Sequence, residues 1–599
     1  MKNQISSLSS SFLKNKAAAC FLILFFILIS IFGSKFHHAL RNSSRYLLPV
    51  LQTADPQLFP NDSVVSALKK FRSLFYDSLA FGVKSAGISP ENVKQVVHIL
   101  YALFKILFIL LLYYLAQEFR QGFWFFIIIA TWTSLPQSVP VGNIVLFKPL
   151  ITHETVVLVL GTAALIFLFQ KRFFLFWLCI GISIFFHSLM AFHLFLITAP
   201  PLLVLDRKNW KKHASGMIPL LICSLLYVLF MSPPGLSGEE GALFMLEKGT
   251  CKHVSPFNQN LYGWVWMAAF MATALVAAHK ELRKNQNAQW LIRFVIWGIP
   301  AGMILSLGAA VTQLPLLGLL QPMRVFLWIT FLTFILISGG ASHSKEKDFW
   351  AFILLMGVVG FSILDSRWAL VFMGVYWFYS MFKKKWIKLS LFLPLSLDQF
   401  MRLGLGIGVM GMVLVWKPGW GPSHSPLPIG VGILLLLMTL PPLRRAFLKK
   451  VLILLLLAYC VLTVSFLRHD YFERKTDKNW NEVRLWCRNH TQKNDTFITP
   501  PQGNNFRILS WRTTLNEDMI HLVWVDPSLY EKIHQKAEEV QKGLVRSTWD
   551  LNILFSLAEK WDADYVLIRG NYIPRIYLPV FESGPYKLFE VTEPGASSN

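Results

Sequence analysis

Two carboxylates, Asp55 and Asp62, stand in the segment LQTADPQLFPNDSVV, residues 51–65, framed by two prolines and following the first long apolar run of the chain. A carboxylate in such a loop has three jobs open to it. It can be a solvated charge, it can cap a helix, or it can act as a general base or metal ligand at a membrane surface. Asp62 heads the helical pattern SVVSALKKF. It suits an N-cap, a role that Asn fills about as well, so Asp62→Asn is expected to cost little. Asp55 precedes Pro56, and Asp-Pro is an N-cap signature too. Because Asp55 lies nearer the end of the first apolar run, it is the stronger candidate for catalysis.

Other polar residues fall at the same kind of boundary. KPLITHE holds Lys148, His153 and Glu154, FFHSLMAFH holds His187, LQPMRVFLW holds Arg324, and LDSRW holds Asp365 and Arg367. Each alone reads as an interfacial anchor or a cap. Charged groups at a membrane boundary are costly unless hydrated or paired. Together they could therefore line a wet cavity that binds an anionic lipid head group. His193, further into its apolar run, reads as a core histidine. Nucleotide-binding glycine loops, CxxC, HExxH and GxSxG are absent. No set of metal ligands is identified and no cofactor is fixed, although a divalent metal remains open for the loop acids. Charges inside the apolar runs are few, Lys105 being the exception. That scarcity counts against an ion-coupled transporter.

The elements that must hold these groups are apolar runs. Of 599 residues, 54% are hydrophobic and 15% charged, whereas soluble domains carry about 25% charge. Runs of spanning length begin near residues 18, 98, 122, 154, 173, 189, 217, 264, 291, 325, 350, 368, 401, 429 and 451. The expectation is a polytopic α-helical membrane protein of roughly 13–15 spans. The first run is read as an uncleaved span. The formal charge of +24 gathers between runs, in DRKNWKKH, HKELRKNQ, SHSKEK, MFKKKWIK and LRRAFLKK. This is the pattern of short cytoplasmic loops rather than of nucleic-acid binding. It places the N-terminus inside and, for an odd number of spans, the tail outside.

Residues 1–467 are thus assigned to the membrane domain, with a first outer loop at 35–97 containing an interfacial helix in DSVVSALKKFRSLFYDSLAFGV. Residues 468–599 are assigned to a small extracytoplasmic α/β domain. Its expected strands are DTFITPP, FRILSW, DYVLIRG and YKLFEV, and its expected helices lie in NWNEVRLWCRNHT, VDPSLYEKIHQKAEEVQKGL and TWDLNILFSLAEKW. Cys251 and Cys487 both fall on the outer side, with no spacing motif that pairs them.

The whole pattern resembles the GT-C superfamily of integral membrane glycosyltransferases, and in particular a bacterial GT-C-like branch. DPQLFPND, HSLMAF and WNEVRLWCRNHTQKNDTFITPP carry the likeness. The resemblance implies many spans, a large first outer loop bearing an acidic catalytic base or metal ligand, and a C-terminal extracytoplasmic domain. It implies a polyprenyl-phosphate-linked sugar as donor, membrane lipids as surroundings, and a bacterial inner (plasma) membrane location. Asp55 would take the acceptor proton, with Asp62 close by. Arg324, Lys148 or His153 would meet the phosphate leaving group, and displacement would invert the anomeric centre. The first loop has no DxD, ExD or adjacent acidic pair, and the tail has no WWDYG-like motif. Two other readings stay open: a transporter or flippase of a lipid-linked substrate, and a non-catalytic protein of the same fold.

Overall fold

The computed structural model describes residues 20, 23–24, 26–27, 43–70, 73–119, 122–133, 137–139, 141, 144–146, 152–231, 254–364, 366–389, 478–501, 506–517, 522, 525–545, 548–570 and 577–591. The expected spans near 401, 429 and 451, most of the one near 18, and the 467/468 boundary lie outside them.

The described chain is mostly helical. Six of its helices are long and apolar enough to cross a membrane: Pro90–Glu118, Phe173–Leu205, Trp210–Phe230, Leu261–Lys280, Gln286–Thr312 and Pro315–Ser344. The first loop forms α1 (Ser43–Ala54), α2 (Ser63–Leu68) and α3 (Leu74–Ser85). The membrane domain continues with α4 (Pro90–Glu118), α5 (Gly122–Thr133), α6 (His153–Phe169), α7 (Phe173–Leu205), α8 (Trp210–Gly216), α9 (Ile218–Phe230), α10 (Leu261–Glu281) and α11 (Gln286–Thr312). It closes with α12 (Pro315–Leu319), α13 (Val325–Lys347), α14 (Phe349–Leu364) and α15 (Ser366–Leu389).

Two spans were expected where α7 stands, with the turn at His187. The backbone of His187 is extended (φ −154°, ψ 92°) inside an otherwise helical stretch. The Trp177 and Phe195 rings, on either side of it, are 6.1 Å apart. A straight helix would separate those residues by about 27 Å, so α7 is a helical hairpin folded at His187. The run from Gly122 differs from expectation. It yields a 12-residue helix, about 18 Å long, and ends just before Pro136, where a helix would lose a donor.

Small residues let the hairpin, α6 and α13 approach closely. A side chain on Gly161 of α6 would overlap the Trp328 ring of α13. Trp328 is fully buried and its indole N–H donates to the Met190 carbonyl of α7 (3.0 Å). At the other end of the bundle, Asn285 and Asn287 donate to the carbonyls of Phe119 and Glu118 (3.0 and 2.9 Å), and Gln170 donates to the Glu118 carboxylate (2.8 Å). The basic clusters at 206–213 and 279–286 lie at that end, because α7 returns to it and α10 and α11 meet there.

Between α5 and α6 lies a short antiparallel hairpin, β1 (Gln137–Val139) and β2 (Ile144–Leu146).

The tail contains α16 (Lys478–His490), β3 (Thr496–Ile498), α17 (Phe506–Ser510), β4 (Thr513–Thr514) and α18 (Pro527–Lys542). It continues with β5 (Leu544–Val545), β6 (Thr548–Trp549), α19 (Leu551–Trp561), β7 (Tyr565–Arg569), β8 (Phe581–Ser583) and β9 (Tyr586–Glu590). Five strands form one sheet in the order β4-β3-β7-β9-β8, with the first three parallel and the last two antiparallel to their neighbours. FRILSW, expected as a strand, is the helix α17. Phe506, Arg507, Ile508 and Ser510 are buried together, which a helical turn allows and a one-faced strand does not. Cys487 is a free, fully buried thiol.

The first loop and the tail share one apolar cluster, which contains Leu47, Tyr76 and Val156 on one side and Ile508, Tyr530 and Ile533 on the other. They therefore lie on one face of the molecule.

Candidate functional site

Three separated segments bring four of the expected residues together. His153 and Glu154 open α6 after Thr152, which precedes the helix in extended conformation and donates its N–H to the Thr155 hydroxyl (3.3 Å). His187 is the fold point of α7. Arg324 ends a 3₁₀ turn, Pro322–Arg324, that leads into α13. The Gly161–Trp328–Met190 contact described above fixes these three elements against one another.

Arg324 Nη1 donates to Glu154 Oε1 (3.4 Å) and to His187 Nε2 (3.3 Å). The His153 and His187 rings are 4.6 Å apart. Arg324 Nε is buried without a hydrogen-bond partner, a donor whose desolvation is uncompensated. The Tyr76 hydroxyl of α3 lies 3.4 Å from His153 Nδ1, and its ring stacks on Tyr46 of α1. Burial, with Tyr46 and Glu154 nearby, pushes the Tyr76 phenol well above its ordinary range, so it stays protonated. The Ser73 hydroxyl donates to the Phe186 carbonyl (3.0 Å), next to the fold point of α7. The first loop is thereby fastened over the fold point.

Ligand atoms of His153, Glu154 and His187 lie within 4.8 Å of one another, the spacing of a divalent-metal donor set. A cation placed among them would press against the Arg324 guanidinium, which already bonds two of the three. The donor set fits the resident arginine better than a metal. The arrangement can therefore present positive charge to an anion while keeping a carboxylate beside it.

Asp55 and Asp62 serve a different contact. Asp62 is the N-cap of α2: its Oδ1 accepts from the N–H groups of Val64 (2.9 Å) and Val65 (3.2 Å). Its Oδ2 accepts from Arg507 Nε of the tail (2.7 Å), and the side chains of both residues are 1–2% exposed. Arg507 also binds Glu517 (3.1 Å) and the Thr514 carbonyl. Burial opposes its charge, but the two carboxylates outweigh burial and raise its pKa. Asp55 accepts from Lys493 Nζ (2.8 Å) and from the Gln57 N–H (3.0 Å). Burial pushes the Asp55 carboxyl up, but these bonds and the Lys493 charge together hold it below its usual range. A third pair joins Glu91 to Arg488 (2.7 Å). Three first-loop acids are thus matched by three tail cations. Sequence reasoning missed those cations and Tyr76. The basic residues of WNEVRLWCRNHTQKNDTFITPP were visible, but nothing local shows that their partners lie about 400 residues away.

His193 is fully buried and donates from Nε2 to the Leu320 carbonyl (2.9 Å). Lys148 and Asp365 lie outside the described residues, and Arg367 sits in the first turn of α15.

A family model described as a domain of unknown function (DUF6798) matches residues 478–515. That stretch contains Arg488, Lys493 and Arg507, the three tail cations that meet the first loop. No curated protein and no solved structure matches the chain.

Proposed function

We propose that the protein is a GT-C-like glycosyltransferase that moves a sugar from a polyprenyl-phosphate donor to an acceptor at the outer membrane face. The observation that carries the reading is the convergence of His153, Glu154, His187 and Arg324 at the end of the bundle covered by the first loop and tail. The positive-inside rule puts that end outside, since basic clusters occupy the other. None of the six long helices carries Asp or Glu away from its ends, which disfavours ion-coupled transport.

In this reading Arg324 binds the donor phosphate, with its unpartnered Nε as one prong of a bidentate contact. Phosphate binding draws the guanidinium off Glu154. Glu154 then accepts the proton of the acceptor hydroxyl as that oxygen attacks the anomeric carbon. The C1–O(phosphate) bond breaks, its electron pair leaves with the phosphate, and the anomeric centre inverts. His153 and His187 flank the leaving group as hydrogen-bond donors. Asp55, the proton acceptor that the resemblance implies, acts here as an anchor for the tail.

The test follows sugar transfer from a polyprenyl-phosphate monosaccharide by full-length protein in membranes. Glu154→Gln should lower turnover by roughly 10²–10⁴-fold with yield unchanged, whereas Arg324→Lys should weaken donor binding first. Full activity in Glu154→Gln together with a dead Asp55→Asn would return the base to Asp55. Full activity in both would remove the transferase reading.

A further inference from the structure

A second cavity lies where the first loop meets the tail. It holds about 470 Å³, within the range of small-molecule sites. Its first-loop wall is Asn61–Val64, the start of α2, and its tail wall is formed by α18, β4 and the end of α19. The cations along the wall are Arg507, Lys532, Lys536 and Lys560, and the carboxylates are Asp62 and Glu539. Asp62 is taken by Arg507 and Glu539 by Lys560 (3.0 Å). Lys532 and Lys536 form no ion pair among the described residues. Lys536 is half-buried, with its ammonium 5.3 Å from the centre of the Trp561 ring. Lys560 stands over the same ring at 5.9 Å. Burial, together with the charge of Lys560, lowers the Lys536 pKa against the opposing pull of Glu539.

Lys532, Lys536 and Lys560 thus line one wall around the Trp561 ring, and the carboxylate nearest them, Glu539, is already held by Lys560, which leaves an excess of positive charge that suits an anion. The remaining wall is rich in neutral hydrogen-bonding groups, including Asn61, Ser63, Thr513 and Gln535. That lining suits a polyhydroxylated ligand better than an apolar one.

We infer that this cleft is a binding site for an anionic saccharide, one bearing a phosphate or carboxylate that Lys532 and Lys536 hold while its hydroxyls meet the loop and sheet edge. The site shares no residue with the Glu154–Arg324 cluster. It stands whether or not that cluster transfers sugar.

The experiment titrates the full-length protein in detergent with glucose 1-phosphate and with digalacturonate, using maltose and inorganic phosphate as comparison ligands, and reads binding by calorimetry and saturation-transfer NMR. Both anionic sugars should bind saturably, at least tenfold more tightly than maltose or phosphate. The pair Lys532→Gln and Lys536→Gln should weaken them at least tenfold with an unchanged melting temperature, and Glu154→Gln should not alter them. Absence of saturable binding would overturn the assignment, as would binding that survives the double substitution. Phosphate binding as tightly as the sugars would reduce the cleft to a plain anion patch and overturn the saccharide assignment. Loss of binding in Glu154→Gln would move the site to the transfer cluster.

Discussion

Removing the charge of Asp62 tests whether the first-loop acids hold the tail in place. Asp62→Asn keeps the side-chain oxygen that caps α2, so the cap itself is retained. The second oxygen is lost. The Asn amide then faces Arg507 Nε, donor against donor, at a site where both side chains are 1–2% exposed. Breaking a buried ion pair from one side costs about 3–5 kcal/mol. Arg507 keeps Glu517 (3.1 Å) and the Thr514 carbonyl, which places the expected cost near the lower end, about 3 kcal/mol. Cys487 supplies the assay. It is fully buried in the cluster that contains Phe506, the neighbour of Arg507, and burial pushes its thiol up to about 12 against the opposing charge of Arg512. In a form with Cys487 as sole cysteine, modification by a disulfide reagent near neutral pH then reports opening of the tail. At 1.4 kcal/mol per tenfold, Asp62→Asn should speed labelling about a hundredfold. Asp62→Ala, which also loses the cap, should cost about 1 kcal/mol more. In an Arg507→Met background, the Asp62→Asn effect should shrink to under about 1 kcal/mol. Labelling of Asp62→Asn within twofold of the parent would refute the anchoring argument, and equal effects in both backgrounds would show that the pair is not coupled.

The half-exposed Asp55–Lys493 pair should matter far less: Asp55→Asn should change the same labelling rate by no more than about fivefold, equivalent to 0–1 kcal/mol. Because the folded Asp55 pKa is depressed, its contribution is present above the ordinary carboxylate range and is lost as pH falls below it. An acid titration of tail opening in Asp55→Asn against parent should therefore converge only at low pH. Gly161→Ala should push Trp328 from its seat and displace Glu154 from Arg324, lowering transfer activity at least tenfold in assays at matched protein yield; unaltered activity would show that α6 and α13 can repack without moving the cluster. Since Arg324 supplies the positive charge in the proposed reaction, exhaustive chelation should leave the proposed transfer unchanged, and loss of activity restored by Zn²⁺ or Mn²⁺ would assign His153, Glu154 and His187 as metal ligands.

The membrane domain was legible wherever its code is one-dimensional. Apolar run length and basic punctuation located a helix at each expected start within the described residues, and the fold point at His187 could be read because the polar FFHS interrupts an apolar stretch. Where segment length alone was the guide, the described helix is shorter than expected. The run at Gly122 is as apolar as a span, yet stops at Thr133, since the prolines at 136 and 140 are incompatible with a continuing helix. In the tail, FRILSW is rich in strand-forming residues, but it forms a helical turn that buries Arg507. A buried arginine bonded to two carboxylates and a carbonyl must be delivered by whatever backbone points it inward, and local propensity carries no record of that demand.

The candidate site divides along the same line. His153, Glu154, His187 and Arg324 were found because each is a polar residue at the end of an apolar run, and the ends of packed spans on one face must be neighbours. Asp62 was half legible. Its capping role follows from four consecutive residues, PNDS, and their position before a helical pattern. The partner on its other oxygen is 445 residues away and belongs to the α/β tail. The expectation that Asn would substitute freely rests on the cap alone, whereas a carboxylate has two oxygens and the sequence displayed a use for only one. The same reasoning bears on Asp55. An acid conspicuous in a membrane loop attracts a catalytic reading, yet it stands opposite a lysine from the segment that brings two arginines to the same loop. Three matched pairs, one of them buried and two at the surface, form a graded latch. The Asp62–Arg507 pair is expected to set where the tail sits, and the outer pairs to adjust how tightly. A tail latched to the first loop, itself fastened by Ser73 and Tyr76 over the fold point of α7, couples tail docking to the geometry around Glu154 and Arg324. Weakening the latch should therefore alter chemistry at a cluster that the latch residues never touch.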